Sequence, residues 1–558
     1  MRSVGIWLGL WVALVGLGEC QGEKPNVIVI LVDDLGYADL GVQGSDVVKS
    51  PHIDKLARDG VILTDGYAPH NFCGPSRSGL FTGIWPYRIG AQFNAPKDYW
   101  DNLVGLPLGY KSIPEMMREA GYQTYCVGKW HLGHTPGNNP KNRGFNGFFG
   151  FLKGSWNYKQ SVMYDTALRD YDYVYRGFTR VGDINYITEN FTDATIGYIA
   201  RAHRLEKPFF IYLSYNSPHA PIISLKEDLD PDVPEDRRKY VGMIKSLDRG
   251  VEKIRNYLEK IGIAENTVIM FSSDNGGHRH GASNEPLRDM KGSYYEGGLR
   301  VPWYITWPGM LEPGQTFTKL ATHLDIYPTL ENLAQVPERK KNPDLVGVDL
   351  MPHFLKVGQS APEASGATHS FIYFGGPLPS GKSSGMIRTG RWKLVIKDEN
   401  DNSKNELYDL RADLSETTDL TEEKPGRAKR MMNSWTEWNR DNILPLYGRT
   451  RAPNPLRLEL SVVGGQAVTT PGVPISFEAT GSSVEGDTVT YFWETFIPVR
   501  WDEATFRDVW TDGVTSTSRT EDSISITYSS PGDYTVRVTI QTERWQLWED
   551  VQVLVEPE

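Results

Sequence analysis

Runs of consecutive apolar, largely β-branched residues recur along the first half of the chain, each bounded by polar or glycine-containing segments. NVIVILV (26–32), YQTYCVG (122–128), PFFIYLSY (208–215) and TVIMFSS (267–273) carry little in/out alternation. That pattern predicts strands covered on both faces, as in a parallel sheet. Between them SPHIDKLARDG (50–60), SIPEMMREAG (112–121) and RRKYVGMIKSLDRGVEKIRNYLEKIG (237–262) place apolar residues at i, i+3 and i+4 and are predicted helices. The alternation predicts an α/β domain with a large, mostly parallel central sheet flanked by helices. From about residue 370 the texture changes. SFIYFG, MIRTGRWKLVI and NELYDL, followed by AKRMMNSWTEWNRD, predict a small antiparallel sheet and a helix packed on the main domain. After RTRAPNPLR, a stretch with linker character, the chain turns rich in Thr, Ser and Val. PISFEATGSS, VTYFWETF, SISITYSSPGDYTVRVTI and EDVQVLVE predict an all-β sandwich.

The chain opens with MRSVGIWLGLWVALVGLG, one Arg ahead of an apolar run that ends in small residues and is followed at once by polar QGEKPN. This reads as an export signal, so the protein is expected to be secreted or periplasmic, with no stable membrane insertion. Expected boundaries are 1–22 for the signal, 23–368 for the α/β domain, 369–450 for the subdomain and 455–558 for the sandwich. A net charge of −11 over 558 residues excludes an overall electrostatic grip on nucleic acid. Any anion must therefore be held by a local pocket. Of three cysteines, Cys20 falls within the expected signal and would be removed with it; Cys73 and Cys126 remain, and a structural disulfide between them is one reading.

Three predicted strands run into polar residues: 26–32 into Asp33 and Asp34, 208–215 into NSPHAP with His219, and 267–273 into Asp274 and Asn275. Ligands collect outside the carboxyl ends of strands in open α/β sheets. Taken alone, adjacent carboxylates are ordinary helix caps and SDNGG an ordinary turn. Together Asp33, Asp34, Asp274 and Asn275 offer only hard oxygens, which suits Ca²⁺ or Mg²⁺ and disfavours zinc.

HNFCGPSRSGLFTG (70–83) contains C-x-P-S-R, with Cys73, Pro75, Ser76 and Arg77. With GYQTYCVGKWHLG (121–133), DDLGYADLG, RGFNGFFG, SPHAP, SDNGG and MKGSYYEGGLRVPWYITWPG, it resembles the formylglycine-dependent sulfatases of the alkaline-phosphatase-like superfamily, from about Lys24 to Leu420. Phe72 is bulkier than the residue that family places before its cysteine. The terminal segment resembles a PKD-type immunoglobulin-like module, with Trp493 as its core tryptophan.

The resemblance implies a division of labour. A separate maturation enzyme would oxidise Cys73 to formylglycine (3-oxoalanine), whose hydrate supplies the nucleophile. Asp33, Asp34, Asp274, Asn275 and the matured Cys73 would hold one Ca²⁺, and Arg77 would orient the nucleophile. Lys129 and Lys291 would bind the sulfate and His219 would protonate the leaving alcohol. His131 would take the proton that lets the remaining hydroxyl expel sulfate. His70, His278, His280 and Arg288 are further candidates at the pocket mouth. Trp, Tyr, Asn and Lys in FNAPKDYWDNLVG, GSWNYKQSVMYD and FGGPLPSGKSSG suit a sugar but are equally ordinary loop residues; the terminal module resembles ones carried by extracellular carbohydrate-active proteins, so a sulfated poly- or oligosaccharide is the expected substrate. The alternatives are an arylsulfatase, a phosphoester or phosphonate hydrolase of the same superfamily, and an inactive glycan-binding protein. Asn190 begins an N-x-T sequon.

Overall fold

The computed structural model describes residues 24–95, 104–159, 173–182, 184–355, 369, 372–377 and 383–447, together with the backbone of the strands between 456 and 555. The expected export signal lies outside the described residues, as do parts of the three loops assigned to sugar contact. No described helix is long and apolar enough to cross a membrane.

The central sheet has ten strands, and its middle is parallel. Asn26–Val32 lies between Phe209–Ser214 and Thr267–Ser273, and Phe209–Ser214 continues to Gln123–Lys129 and Gly147–Phe151, all running the same way. Trp303–Thr306 adds on antiparallel beside Thr267–Ser273. The central strand shows why the sequence lacks alternation. Val27, Val29 and Leu31 pack into one apolar cluster with Leu80, Phe81, Ile113 and Leu330. Ile28, Ile30 and Val32 pack into another with Ile187, Val241, Leu247 and Ile254. Both faces are covered by helices, and each fully buried aliphatic side chain contributes about 1.5–3 kcal/mol.

Because these five strands are parallel, their carboxyl ends gather on one edge. There the chain turns into Asp33–Asp34 after Val32, Asp274–Asn275 after Ser273 and His131 after Lys129, with His219 five residues beyond Ser214. Gly128 makes the spacing possible: its φ is 106° and a Cβ there would overlap the Ser214 carbonyl.

The subdomain is a four-stranded antiparallel sheet, Ile372–Pro377, Ser383–Thr389, Trp392–Ile396 and Glu406–Asp409 in that order. Helix Pro425–Asn439 covers it through Ala428, Met431 and Trp435. Buried Lys393 joins the two parts by meeting Glu296 at 2.9 Å and Glu416 at 2.8 Å. The terminal strands form two larger sheets and a two-stranded ribbon of Trp501–Asp502 with Arg507–Asp508. Leu456–Val462, Pro474–Ser483 and Ser523–Thr527 make one; Val468–Thr469, Gln546–Val555, Gly532–Gln541 and Thr490–Phe496 make the other. The expected core role of Trp493 falls on a side chain outside the described set.

Candidate active site

Helix Cys73–Thr82 brings the C-x-P-S-R segment to the carboxyl edge of the sheet. It is buried along its whole length, with Cys73 at its first turn. Arg77, with no exposed surface, points from it across the strand ends. Its Nε and Nη2 donate to Asp274 Oδ2 at 3.0 and 2.7 Å. Its Nη1 donates to the Lys129 carbonyl at 3.2 Å, to Tyr212 Oη at 3.0 Å and to Ser214 Oγ. Arg77 thus ties four elements together.

Around it three carboxylates face three cations. Lys129 Nζ meets Asp33 Oδ2 at 2.7 Å, Lys291 Nζ meets Asp34 Oδ1 at 2.6 Å, and Arg77 meets Asp274. Burial works against ionisation of Asp33, but Lys129, His219 and Arg77 outweigh it and hold the carboxyl below its ordinary range. Burial likewise opposes ionisation of Asp34; Lys291 and His219 override it. Burial opposes the charge of Lys291, yet Cys73, Asp34, Asp33 and Asp274 hold its pKa well above the usual lysine value.

Lys291 Nζ also approaches Cys73 Sγ at 3.2 Å. Burial pushes the Cys73 thiol up, with Lys129 and Lys291 opposing, so the encoded side chain is a neutral thiol at pH 7. Cys73 and Cys126 are both free, so the disulfide reading is not met.

The cluster offers donors for a divalent cation. Asp33, Asp34, Cys73 and His219 each bring one ligand atom within 4.8 Å of the others. Asn275 Nδ2 donates to Asp34 Oδ1 at 2.7 Å and to the Gly276 carbonyl at 2.9 Å, which leaves its Oδ1 buried. Asp33 Oδ1 and Asn275 Oδ1 are buried oxygens without a hydrogen-bond partner among the described residues. Such orphaned acceptors cost free energy unless a cation or water meets them. Asp34 sits at φ 64° and His131 at φ 58°, left-handed conformations that cost about 1–3 kcal/mol each and concentrate at functional sites.

A cavity of about 190 Å³ opens above this cluster, lined by Cys73, His131, His219 and Lys291 and also by Asn94, His134, Lys153 and Ser155. Burial, reinforced by Lys129 and Arg77, holds the His131 imidazole well below its ordinary value, so it is neutral; its Nδ1 has no hydrogen-bond partner among the described residues. His219 Nδ1 lies 2.6 Å from the Ala220 carbonyl and must carry the proton there, because a carbonyl only accepts. The other ring nitrogen, Nε2, faces Asp34 Oδ2 at 3.6 Å.

All ten residues expected from the sequence meet in this one place. The four mouth candidates do not line the cavity. Arg288 donates to Tyr408 Oη and the Glu416 carbonyl and covers the Tyr295 ring at 3.9 Å. His70 is buried and accepts the Phe72 amide. His278 and His280 stack on each other with ring centroids 4.5 Å apart. Asn190 lies in the first turn of helix Ile187–Arg204. His134, Lys153 and Tyr212 escaped the sequence reading, and Asn94 entered it only as part of the loop 93–105 suited to sugar contact. His134 and Lys153 each lie within three residues of a recognised motif, a signal that could have found them.

Comparison with known proteins agrees with this geometry. Residues 289–436 match the C-terminal region of N-sulphoglucosamine sulphohydrolase, and 459–555 match the PKD domain. N-acetylgalactosamine-6-sulfatase of Mus musculus is 32% identical over 355 residues, covering 60% of this chain and 67% of that protein. Arylsulfatase J of Mus musculus is 35% identical over 57% of this chain and 54% of its own length. The solved structure of Ps i-CgsB in complex with k-i-k-neocarrahexaose is 34% identical with a TM-score of 0.70, covering 77% of this chain and 95% of that one. Residues 25–336, more than half of the chain, match the Sulfatase family. The chain belongs to the sulfatase family and has its alkaline-phosphatase-like fold.

Proposed function

We propose that this protein is an exported, formylglycine- and calcium-dependent sulfatase that removes sulfate from a sulfated oligo- or polysaccharide. The observation that carries the reading is the charge balance of the buried cluster. Asp33, Asp34 and Asp274 are matched by Arg77, Lys129 and Lys291, so a divalent ion held by Asp33, Asp34, Asp274, Asn275 and the residue-73 side chain leaves a surplus of two positive charges. A water-poor pocket with that surplus draws an anionic ester and stabilises the charge its cleavage develops. Calcium would supply Lewis-acid charge, and formylglycine at position 73 a hydrated aldehyde as nucleophile.

This chain's own residues do the rest. Lys291, beside Cys73 Sγ, and Lys129, anchored on Asp33, meet the sulfo oxygens. Arg77 fixes Asp274 and the helix that carries residue 73. His219 Nε2 delivers a proton to the leaving oxygen, and neutral His131 accepts one from the residue-73 side. The glycan reading is supported by the named activity of the N-acetylgalactosamine-6-sulfatase relative and by the neocarrahexaose bound to the Ps i-CgsB neighbour.

Protein produced with a formylglycine-generating enzyme is expected to release sulfate from defined sulfated saccharides. On matched aryl esters it is expected to prefer sulfate to phosphate. Preference for phosphate would move it to the phosphoester hydrolases, and activity on aryl sulfate alone would make it an arylsulfatase. Removing calcium with a chelator is expected to abolish turnover and to lower the unfolding temperature. Calcium at 100 times its dissociation constant adds about 2.7 kcal/mol of stability. Restoration of both by Ca²⁺, and less well by Mg²⁺, is the expected result; an unchanged melt after chelation would count against the ion.

A further inference from the structure

Phe72 is 40% exposed although its neighbours Asn71 and Cys73 are buried. Its backbone is fixed. The Phe72 amide donates to His70 Nδ1 at 3.1 Å, and its carbonyl accepts the Ser76 amide at 3.0 Å. Burial pushes the His70 imidazole down to about 3, which keeps that ring nitrogen an acceptor. The Phe72 ring edge rests on bare backbone: a Cβ on Gly292, where φ is 89°, would lie 3.0 Å from Phe72 Cζ. Gly292 in turn donates its amide to the Asn71 carbonyl at 2.9 Å. That bond pairs segment 71–73 with 291–292 and accompanies the 3.2 Å approach of Cys73 to Lys291. The ring therefore packs on the residue next to Lys291 and belongs to the residue next to Cys73, just outside the set that lines the cavity itself. On the other flank of Cys73, Asn94 accepts the Gly74 amide at 2.9 Å and lines the cavity wall. Only its amide oxygen can accept, so its NH₂ remains as a donor.

A flat apolar surface held next to a charged cavity, with a hydrogen-bond donor on the far side, matches the two-sided chemistry of a pyranose, whose C–H face is apolar and whose rim carries hydroxyls. We propose that Phe72 is a specificity-determining residue: its ring is the platform for the C–H face of the sulfated sugar, while Asn94 meets a neighbouring hydroxyl. This rests on the glycan reading above.

The test uses full-length protein matured in the cell, with the converted fraction of residue 73 measured by peptide mass for each variant. The probes are N-acetylgalactosamine 6-sulfate and k-i-k-neocarrahexaose, with hexyl sulfate as a ring-free control. Phe72→Leu keeps apolar bulk against Gly292 but removes the flat face. It is expected to raise KM for whichever sugar the wild type cleaves about tenfold, with kcat within about threefold, the range of an aromatic contact. Phe72→Trp should keep KM within about threefold, and hexyl sulfate kinetics should be unchanged in both. Wild-type KM in Phe72→Leu, or an equal loss on hexyl sulfate, overturns the platform and leaves the glycan reading standing. Release of sulfate from neither sugar by the wild type overturns the glycan reading and the platform with it.

Discussion

Replacing Cys73 with serine is expected to reduce sulfate release by on the order of 10⁴-fold or more, the scale seen when a nucleophile is removed, with the unfolding temperature shifted by no more than a few degrees. The side chain is 2% exposed and the substitution is nearly isosteric, so packing of helix Cys73–Thr82 should persist. What is lost is chemistry. The buried thiol is pushed up in pKa despite Lys129 and Lys291, the reverse of the depressed value that an activated cysteine nucleophile needs. The encoded cysteine is thus poorly suited to attack an ester itself, which fits a role as precursor. Unmodified protein made without a maturation system should accordingly be as inactive as Cys73→Ser. Full turnover by protein whose residue 73 is shown by mass to be unmodified cysteine would refute the formylglycine assignment.

The parts of the fold that the sequence made legible are those where burial is simple. TVIMFSS and PISFEATGSS coincide with strands Thr267–Ser273 and Pro474–Ser483, and helix Glu235–Lys260 spans its amphipathic pattern to within two residues. Helix Cys73–Thr82 was not legible as a helix. All ten of its residues are buried, so no polar face marks a 3.6-residue period, and its two glycines, proline and two serines weigh against helix by propensity. The antiparallel entry of Trp303–Thr306 was hidden for a related reason, since a strand buried on both faces reads alike in either direction. At the site, residue types marked the candidate ligands because carboxylates at strand ends have few other uses in combination. Tyr212 gave no such signal, and Asn94 stood out only as one polar residue of a loop suited to sugar contact. Their roles come from a single contact each, Asn94 with the Gly74 amide and Tyr212 with Arg77, that only the folded chain creates. Arg288 failed as a pocket residue because the subdomain competes for it. Tyr408, Tyr295 and the Glu416 carbonyl satisfy the guanidinium, which fastens the loop carrying Lys291 to the second sheet.

Arg77→Met is expected to lower stability by about 3–5 kcal/mol, the cost of leaving buried charge without its partner, and to abolish turnover. The guanidinium is fully buried and is the partner of Asp274 at 2.7 Å, and it also stands 3.9 Å from Asp33. Methionine fills comparable volume, so the loss should come from uncompensated carboxylate charge and from the acceptors at Lys129, Tyr212 and Ser214. A double-mutant cycle separates these. Asp274→Asn in the Arg77→Met background removes the stranded charge and should recover a substantial part of the stability, measured by urea unfolding without divalent ions, although activity stays absent. Calcium should stabilise Arg77→Met more than the double variant, because only the former keeps the full carboxylate set. If the double variant is no more stable than Arg77→Met, charge balance is not what Arg77 contributes, and the surplus of positive charge on which sulfate binding depends loses its structural basis.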